Sequence, residues 1–269
     1  MTDHQPRKRF GQNFLVDRSI IERIVKTINP SAEDNLIEIG PGMAAITQYL
    51  YPACPNMQVI ELDRDLVAYL TQQFPSLNIY SGDALKVDYQ QFYKPGHKLR
   101  LVGNLPYNIS TPLLFHLLSY RELIADMHFM LQKEVVDRLG AQPGTKAYGR
   151  LSVMIQYHCR VMPVIAVPPG AFRPPPKVQS AVVKLTPHSE LPHQASDHLL
   201  LGKIVAHAFG QRRKTLRNAL RPYNECLQQV GDIIDLNRRA EQLSVREFVA
   251  IANTISQWQK LQPPTPSEH

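Results

Sequence analysis

The chain has 269 residues, 43% of them hydrophobic, enough for one large domain or one domain with a smaller partner. Thirty Lys and Arg against 23 Asp and Glu leave a net charge of +7, which favours a polyanionic partner without dictating a fold. Three scattered cysteines, Cys54, Cys159 and Cys226, form no metal-like pair, so neither a disulfide framework nor a metal site is indicated and a reducing cytoplasm is the expected compartment; a polar start and no bilayer-length apolar run argue against membrane association.

Residues 1–9 read as a basic arm carrying Arg7, Lys8 and Arg9. Phe10-Gly11-Gln12-Asn13-Phe14-Leu15 follows, by itself a loop with two core aromatics. Asp17 is placed to cap a helix whose apolar positions, Ile20, Ile21, Ile24, Val25 and Ile28, recur at helical spacing. Residues 36–39 form a short buried strand ending in Gly40-Pro41-Gly42-Met43-Ala44, with a helix expected over 45–51. Strand, glycine turn and helix open a nucleotide-binding α/β unit, because Gly40 and Gly42 let the backbone bend and approach a ligand.

The second strand, residues 58–60, ends in Glu61-Leu62-Asp63. Glu61 stands 21 residues after Gly40, an offset suited to a ribose diol, while Asp63 caps the helix over 64–74. A third strand, 77–80, delivers Asp83. A fourth, 99–103, delivers Asn104-Leu105-Pro106-Tyr107. Alone, that tetrapeptide reads as a turn. Four successive strands ending in ligand-competent residues reverse that reading, because open α/β sheets bind ligands at the carboxyl ends of their strands.

Ser110 or Thr111 is placed to cap a helix reaching Leu118. A strand over 126–132, helices over 133–139 and 151–158, and an antiparallel strand pair over 161–167 and 178–185 follow. Between that pair, Phe172-Arg173-Pro174-Pro175-Pro176-Lys177-Val178 is stiff and extended, either as a connector or as a mount for Phe172 beside the site. Composition changes over 187–197. The domains are therefore set at 1–190 and 191–258, with 259–269 a polar tail; the first is α/β and the second all-α. From His198 to Asn224 there are six Lys/Arg and no acid, including Arg212, Arg213, Lys214 and Arg217. That local absence of acids suits phosphate contacts better than an ordinary solvated face. Further helices are expected over 226–234 and 245–258, the last behind a Ser244/Glu247 capping box.

Over residues 6–258 these motifs resemble the ribosomal RNA adenine dimethyltransferases, and most closely their bacterial small-subunit branch. The carriers are Arg9-Phe10-Gly11-Gln12-Asn13-Phe14-Leu15, Glu38-Ile39-Gly40-Pro41-Gly42, Glu61-Leu62-Asp63, Gly82-Asp83-Ala84, Asn104-Leu105-Pro106-Tyr107, the Phe172 to Val178 stretch and residues 209–220. The resemblance implies a Rossmann-like methyltransferase domain that uses S-adenosylmethionine (SAM), followed by the small helical domain. It implies SAM contacts at Asn13, Leu15, Gly40, Glu61, Asp83 and Asn104. It also implies dimethylation of two adjacent adenines in a hairpin loop near the 3′ end of 16S rRNA, within the small subunit or its precursor. On that reading Asn104 and the Leu105 carbonyl accept from adenine N6, Pro106 fixes the turn, and Tyr107 and Phe172 stack on the two faces of the base. Arg7, Lys8, Arg9, Arg212, Arg213, Lys214 and Arg217 are the expected RNA contacts. A monomer is the default expectation, since no exposed apolar stripe stands out in the sequence. One departure stands out: the family usually has a third glycine where this chain has Ala44. Weaker SAM binding is expected from its methyl group, with Ala44 opening a helix and needing no positive φ.

A large-subunit enzyme of the antibiotic-resistance type would share the core but differ in the C-terminal helices, where the match continues through 209–220. DNA adenine methylation usually places an acid at the Asn104 position. A non-catalytic assembly factor would not need Glu61, Asn104 and Tyr107 together.

Overall fold

The computed structural model describes residues 13–262. The chain divides into two compact units. One comprises the chain up to Asp137 together with Cys159–Pro187; the other comprises Arg138–His158 and the chain from His188 onward.

The first unit begins with a two-residue strand, β1 (Phe14–Leu15), and helix α1 (Arg18–Ile28). Asp17 caps α1 by accepting from the Ile20 amide at 3.1 Å, and the helix ends at Asn29 in a left-handed conformation. Its buried stripe, Ile20, Ile21, Ile24 and Ile28, joins Leu36, Val102, Met130 and Val182 of the sheet in one core. Each of these isoleucines contributes on the order of 2 kcal/mol by leaving water.

The sheet contains β2 (Asn35–Ile39), β3 (Gln58–Glu61), β4 (Asn78–Ser81), β5 (Leu99–Asn104), β6 (Ile124–Gln132), β7 (Cys159–Val167) and β9 (Ser180–Pro187), in the order β4-β3-β2-β5-β6-β9-β7. Strands β2 to β6 pair in parallel, whereas β9 is antiparallel to both β6 and β7. The expected closing pair is thus present. Every residue of β2 is buried, as a central parallel strand covered on both faces requires. Strand β8 (Phe172–Arg173) lies outside this sheet and pairs antiparallel with β1, Leu15 opposite Phe172 and Phe14 opposite Arg173.

Arg100 clamps the amino-terminal edge of the sheet. Its guanidinium donates to the Ile28 carbonyl at 2.6 Å, to Asp34 at 2.6 Å and to both carboxylate oxygens of Asp126 at 3.1 Å. The end of α1 and the starts of β2, β5 and β6 are thereby tied together.

Two local expectations change. The helix after the glycine turn is α2 (Thr47–Ala53), two residues later than expected, because Gly42 and Ala44 both hold positive φ. Ala44 has φ +63°, so the expectation that it needs no positive φ is overturned. An L-residue there carries a strain of about 1–2 kcal/mol. Helix α4 (Ser110–Leu118) has no side-chain cap; Ser110 lies within it and donates back to the Tyr107 carbonyl at 3.1 Å.

The second unit is helical: α6 (Arg150–His158), α7 (His198–Gly210), α8 (Leu216–Ala219), α9 (Leu227–Gly231) and α10 (Val245–Leu261). Residues 138–158, set in the first domain by the sequence reading, pack here. Helix α6 buries Leu151, Ser152, Val153, Met154, Ile155, Tyr157 and His158, so it needs cover on several sides, and α7 and α10 supply it. The Ser244/Glu247 capping box opens α10 as expected. The 226–234 helix is shorter, preceded by a 3-10 segment over Arg221–Cys226.

Candidate active site

The carboxyl ends of β2, β3 and β5, with the loop after β4, surround a cleft that opens to solvent. Asn13, Leu15, Gly40, Glu61, Asp83, Asn104, Leu105, Pro106 and Tyr107 all line it. The sequence-predicted donor contacts and the tetrapeptide therefore share one cavity.

The floor is the glycine turn. Gly40 (φ +66°) donates to the Ile60 carbonyl at 2.9 Å, and a Cβ on Gly42 (φ +58°) would come within 3.2 Å of the Phe14 ring. Glu61 is held from behind: one carboxylate oxygen accepts from the Asp63 amide at 2.9 Å and the other from the Gly42 amide at 3.3 Å. Burial raises its pKa, opposed by those amides. Asp63 separately caps α3 (Arg64–Gln73) by accepting from the Asp65 amide, as expected. Asp83 is fixed by the Leu85 amide at 3.0 Å.

Glu38 and Leu62 also line the cleft and were not singled out from the sequence. Glu38 is enclosed and accepts from the Thr47 hydroxyl at 2.7 Å, and burial pushes its carboxyl up to about 7. Its signal was present in the Glu38 to Gly42 motif, one residue before the strand end. Leu62 is half exposed beside Glu61, an apolar surface at the mouth.

At the other wall, Gly103 lies so close to β2 that an added Cβ would sit 2.4 Å from the Ile39 carbonyl oxygen. Asn104 then turns its side chain toward β1, and its Nδ2 donates to the Asn13 carbonyl at 3.1 Å. Only the nitrogen can donate to a carbonyl, so this bond fixes the amide orientation and keeps Oδ1 as an acceptor. The Leu105 amide is taken by the Met130 carbonyl at 3.2 Å, and the Pro106 carbonyl accepts from Ile109 at 3.1 Å, closing the turn. Tyr107 is half-buried, and its hydroxyl lies 2.8 Å from the Ser180 hydroxyl.

Phe172 is a correction. It is 1% exposed, packs in the core and does not line the cleft. It lies opposite Leu15 in the β1–β8 pair and shares a core cluster with Leu15, Val167 and Ala171, so in this structure its ring packs into the core and not along the cleft. Arg7, Lys8 and Arg9 lie outside the described residues. In the helical unit Arg213, Lys214 and Arg217 are exposed. Arg212 is engaged differently: its guanidinium donates to the Lys146 and Tyr148 carbonyls at 3.0 and 3.1 Å and faces Glu241 at 3.6 Å.

A sequence model of the ribosomal RNA adenine dimethylase family matches residues 3–257. The chain belongs to that family. A ribosomal RNA small subunit methyltransferase A from Saccharophagus degradans is 58% identical over 258 residues, 95% of this chain and 96% of that protein. In fold, the chain is similar to a dimethyladenosine transferase from Plasmodium falciparum, at TM-score 0.73 and 24% identity, over 92% of this chain and 98% of that one. It is also similar to the 23S rRNA methyltransferase ErmE, at TM-score 0.66 and 22% identity, over 91% and 100% of the two chains. The fold is accordingly Rossmann-like, and the protein is a SAM-dependent rRNA adenine methyltransferase. The cleft fits that donor: a glycine cradle that side chains would fill, a buried carboxylate at the second strand end and a further acid at Asp83.

Among the described residues, no helix is long and apolar enough to cross a membrane.

Proposed function

We propose that this protein dimethylates N6 of two adjacent adenosines in the 3′-terminal hairpin loop of 16S rRNA, acting as a cytoplasmic monomer on small-subunit particles and contributing to their biogenesis. The observation that carries the reading is the Asn104 amide, whose Nδ2 is committed to Asn13 and whose Oδ1 is left to accept. The 58% identity with a small-subunit enzyme over nearly the whole chain supports the choice of rRNA.

SAM, when bound, supplies an electrophilic methyl group. The chain supplies the rest. Adenine N6 is a weak nucleophile because its lone pair is delocalised into the ring. Asn104 Oδ1 and the Leu105 carbonyl accept from the N6 hydrogens, orienting the nitrogen and favouring the tetrahedral form that it takes during transfer. Tyr107 stacks on the base once it has left its own stack, a step least demanding in a loop. No strong base is needed, since the methylated ammonium is acidic and releases its proton to water. Gly40, Glu61, Asp83, Asn13 and Leu15 hold the donor, and Arg213, Lys214, Arg217 and the basic amino-terminal arm engage RNA phosphates.

The test is transfer of labelled methyl groups to undermethylated 30S subunits, followed by nucleoside analysis. Labelled dimethyladenosine in the terminal hairpin is the expected product. Tight binding without label would point instead to an assembly factor, and label elsewhere would overturn the target.

A further inference from the structure

We propose that Ser180 is a positioning residue for the reaction, fixing the ring of Tyr107 so that the second methyl transfer, on an already monomethylated adenine, proceeds efficiently. The proposal rests on the reading of Tyr107 as the stacking residue.

Ser180 is 1% exposed and opens β9. It is paired on both sides, opposite Gln132 of β6 and Val167 of β7. The preceding residue is fixed as well, with the Gln179 carbonyl accepting from the Lys133 amide at 2.9 Å. Its hydroxyl is therefore anchored in the interior of the sheet, where backbone motion is most restricted. Tyr107, by contrast, sits in a turn between β5 and α4. Two contacts hold it: the Ser110 hydroxyl on its backbone carbonyl at 3.1 Å and the Ser180 hydroxyl on its phenol at 2.8 Å. The first fixes where the side chain leaves the backbone and the second fixes its far end. Together they restrain the ring from swinging away from β9.

That constraint matters unequally for the two transfers. Unmodified N6 carries two hydrogens, and two acceptors, Asn104 Oδ1 and the Leu105 carbonyl, are available to hold it. After the first transfer one hydrogen remains, so one acceptor contact is lost and stacking carries more of the positioning. Loosening Tyr107 then penalises the second step more than the first. Burial raises the Tyr107 phenol pKa, so the contact stays between neutral groups at working pH.

The experiment uses the full-length protein, SAM and undermethylated 30S subunits. Variants are Ser180→Ala, Tyr107→Phe, their double and Tyr107→Ala. A single neutral hydrogen bond predicts a fall of about 3- to 10-fold in kcat for Ser180→Ala and for Tyr107→Phe. KM for both substrates should be unchanged, and monomethyladenosine should accumulate over dimethyladenosine. The double variant should be no worse than either single one, because both remove the same bond. Unchanged kcat and product ratio in both single variants, with Tyr107→Ala inactive, would overturn the role of Ser180 while leaving the stacking reading intact. Multiplying penalties in the double variant would also overturn it. Full activity in Tyr107→Ala would overturn the stacking reading itself, and this proposal with it. Tyr107→Phe leaves β9 untouched, so the proposal remains testable if Ser180→Ala folds poorly.

Discussion

The side-chain nitrogen of Asn104 donates to the backbone carbonyl of Asn13 across 3.1 Å, joining the end of a central strand to a segment 91 residues earlier in the chain. This bond commits Nδ2 and leaves Oδ1 as the acceptor end of the amide. It also gives the short β1–β8 pair a purpose: Phe172 and Leu15 hold the strand that presents the Asn13 carbonyl.

Backbone packing beneath Asn104 predicts an intolerant glycine. A methyl at Gly103 would meet the Ile39 carbonyl oxygen at 2.4 Å, and neither parallel strand can yield without disturbing its neighbour. Gly103→Ala should destabilise the protein by about 2–3 kcal/mol in chemical denaturation. It should also displace Asn104 enough to lower methyl transfer in the fraction that folds.

Donor binding should depend on pH through Glu38. Its enclosed carboxyl has a pKa near 7, so it is neutral below that value and charged above it. A cationic ligand in the cleft favours the charged form. SAM affinity should therefore weaken as pH falls from 8 to 6, by about tenfold at most for one proton. Calorimetry in buffers of different ionisation enthalpy should detect proton release on binding. Glu38→Gln should flatten the dependence; an unchanged slope would assign it to another group.

Below the site, His128 is buried beside Asp126, Lys184 and Arg100, and among the described residues neither ring nitrogen has a hydrogen-bond partner. Burial lowers its pKa from 6.5 to about 4 and outweighs the attraction of Asp126. The unfolded chain therefore takes up a proton before the folded one does. Stability from this group is complete above pH 6.5 and falls as the pH drops toward 4, by about 3 kcal/mol. His128→Leu should be at least as stable at pH 7 and lose less on acidification, as read by denaturant titration at several pH values.

The basic segment should divide by role. Arg213→Ala, Lys214→Ala and Arg217→Ala should each flatten the salt dependence of RNA binding, by about 0.7 to 0.9 in log–log slope per lost phosphate contact. Arg212→Ala should chiefly loosen the 146–148 loop that it holds, and so lower the thermal midpoint of the helical unit more than the salt slope.

Much of the site was legible because it follows from chain direction. Four strands run parallel, so their carboxyl ends converge, and Gly40, Glu61, Asp83 and Asn104 stand at or just beyond those ends. The misreadings were physical ambiguities. An aromatic before three prolines serves equally as core or as wall, and Phe172 became core because Leu15 lies opposite it. Ala44 followed two glycines where a helix was expected, and nothing in its side chain announces a positive φ. What the sequence did not reveal is that the Arg212 guanidinium, still 48% exposed, also donates to carbonyls of a loop 64 and 66 residues away. Helix α6 advertised its burial without indicating what would cover it.

The account rests most heavily on Asn104. The direct measurement is single-turnover methyl transfer by Asn104→Ala on undermethylated 30S subunits, alongside RNA binding. Loss of a positioned acceptor predicts a rate about 100-fold lower or worse, with RNA affinity within about twofold of the unaltered protein. Equal loss of transfer and binding, or transfer that survives intact, would contradict the account.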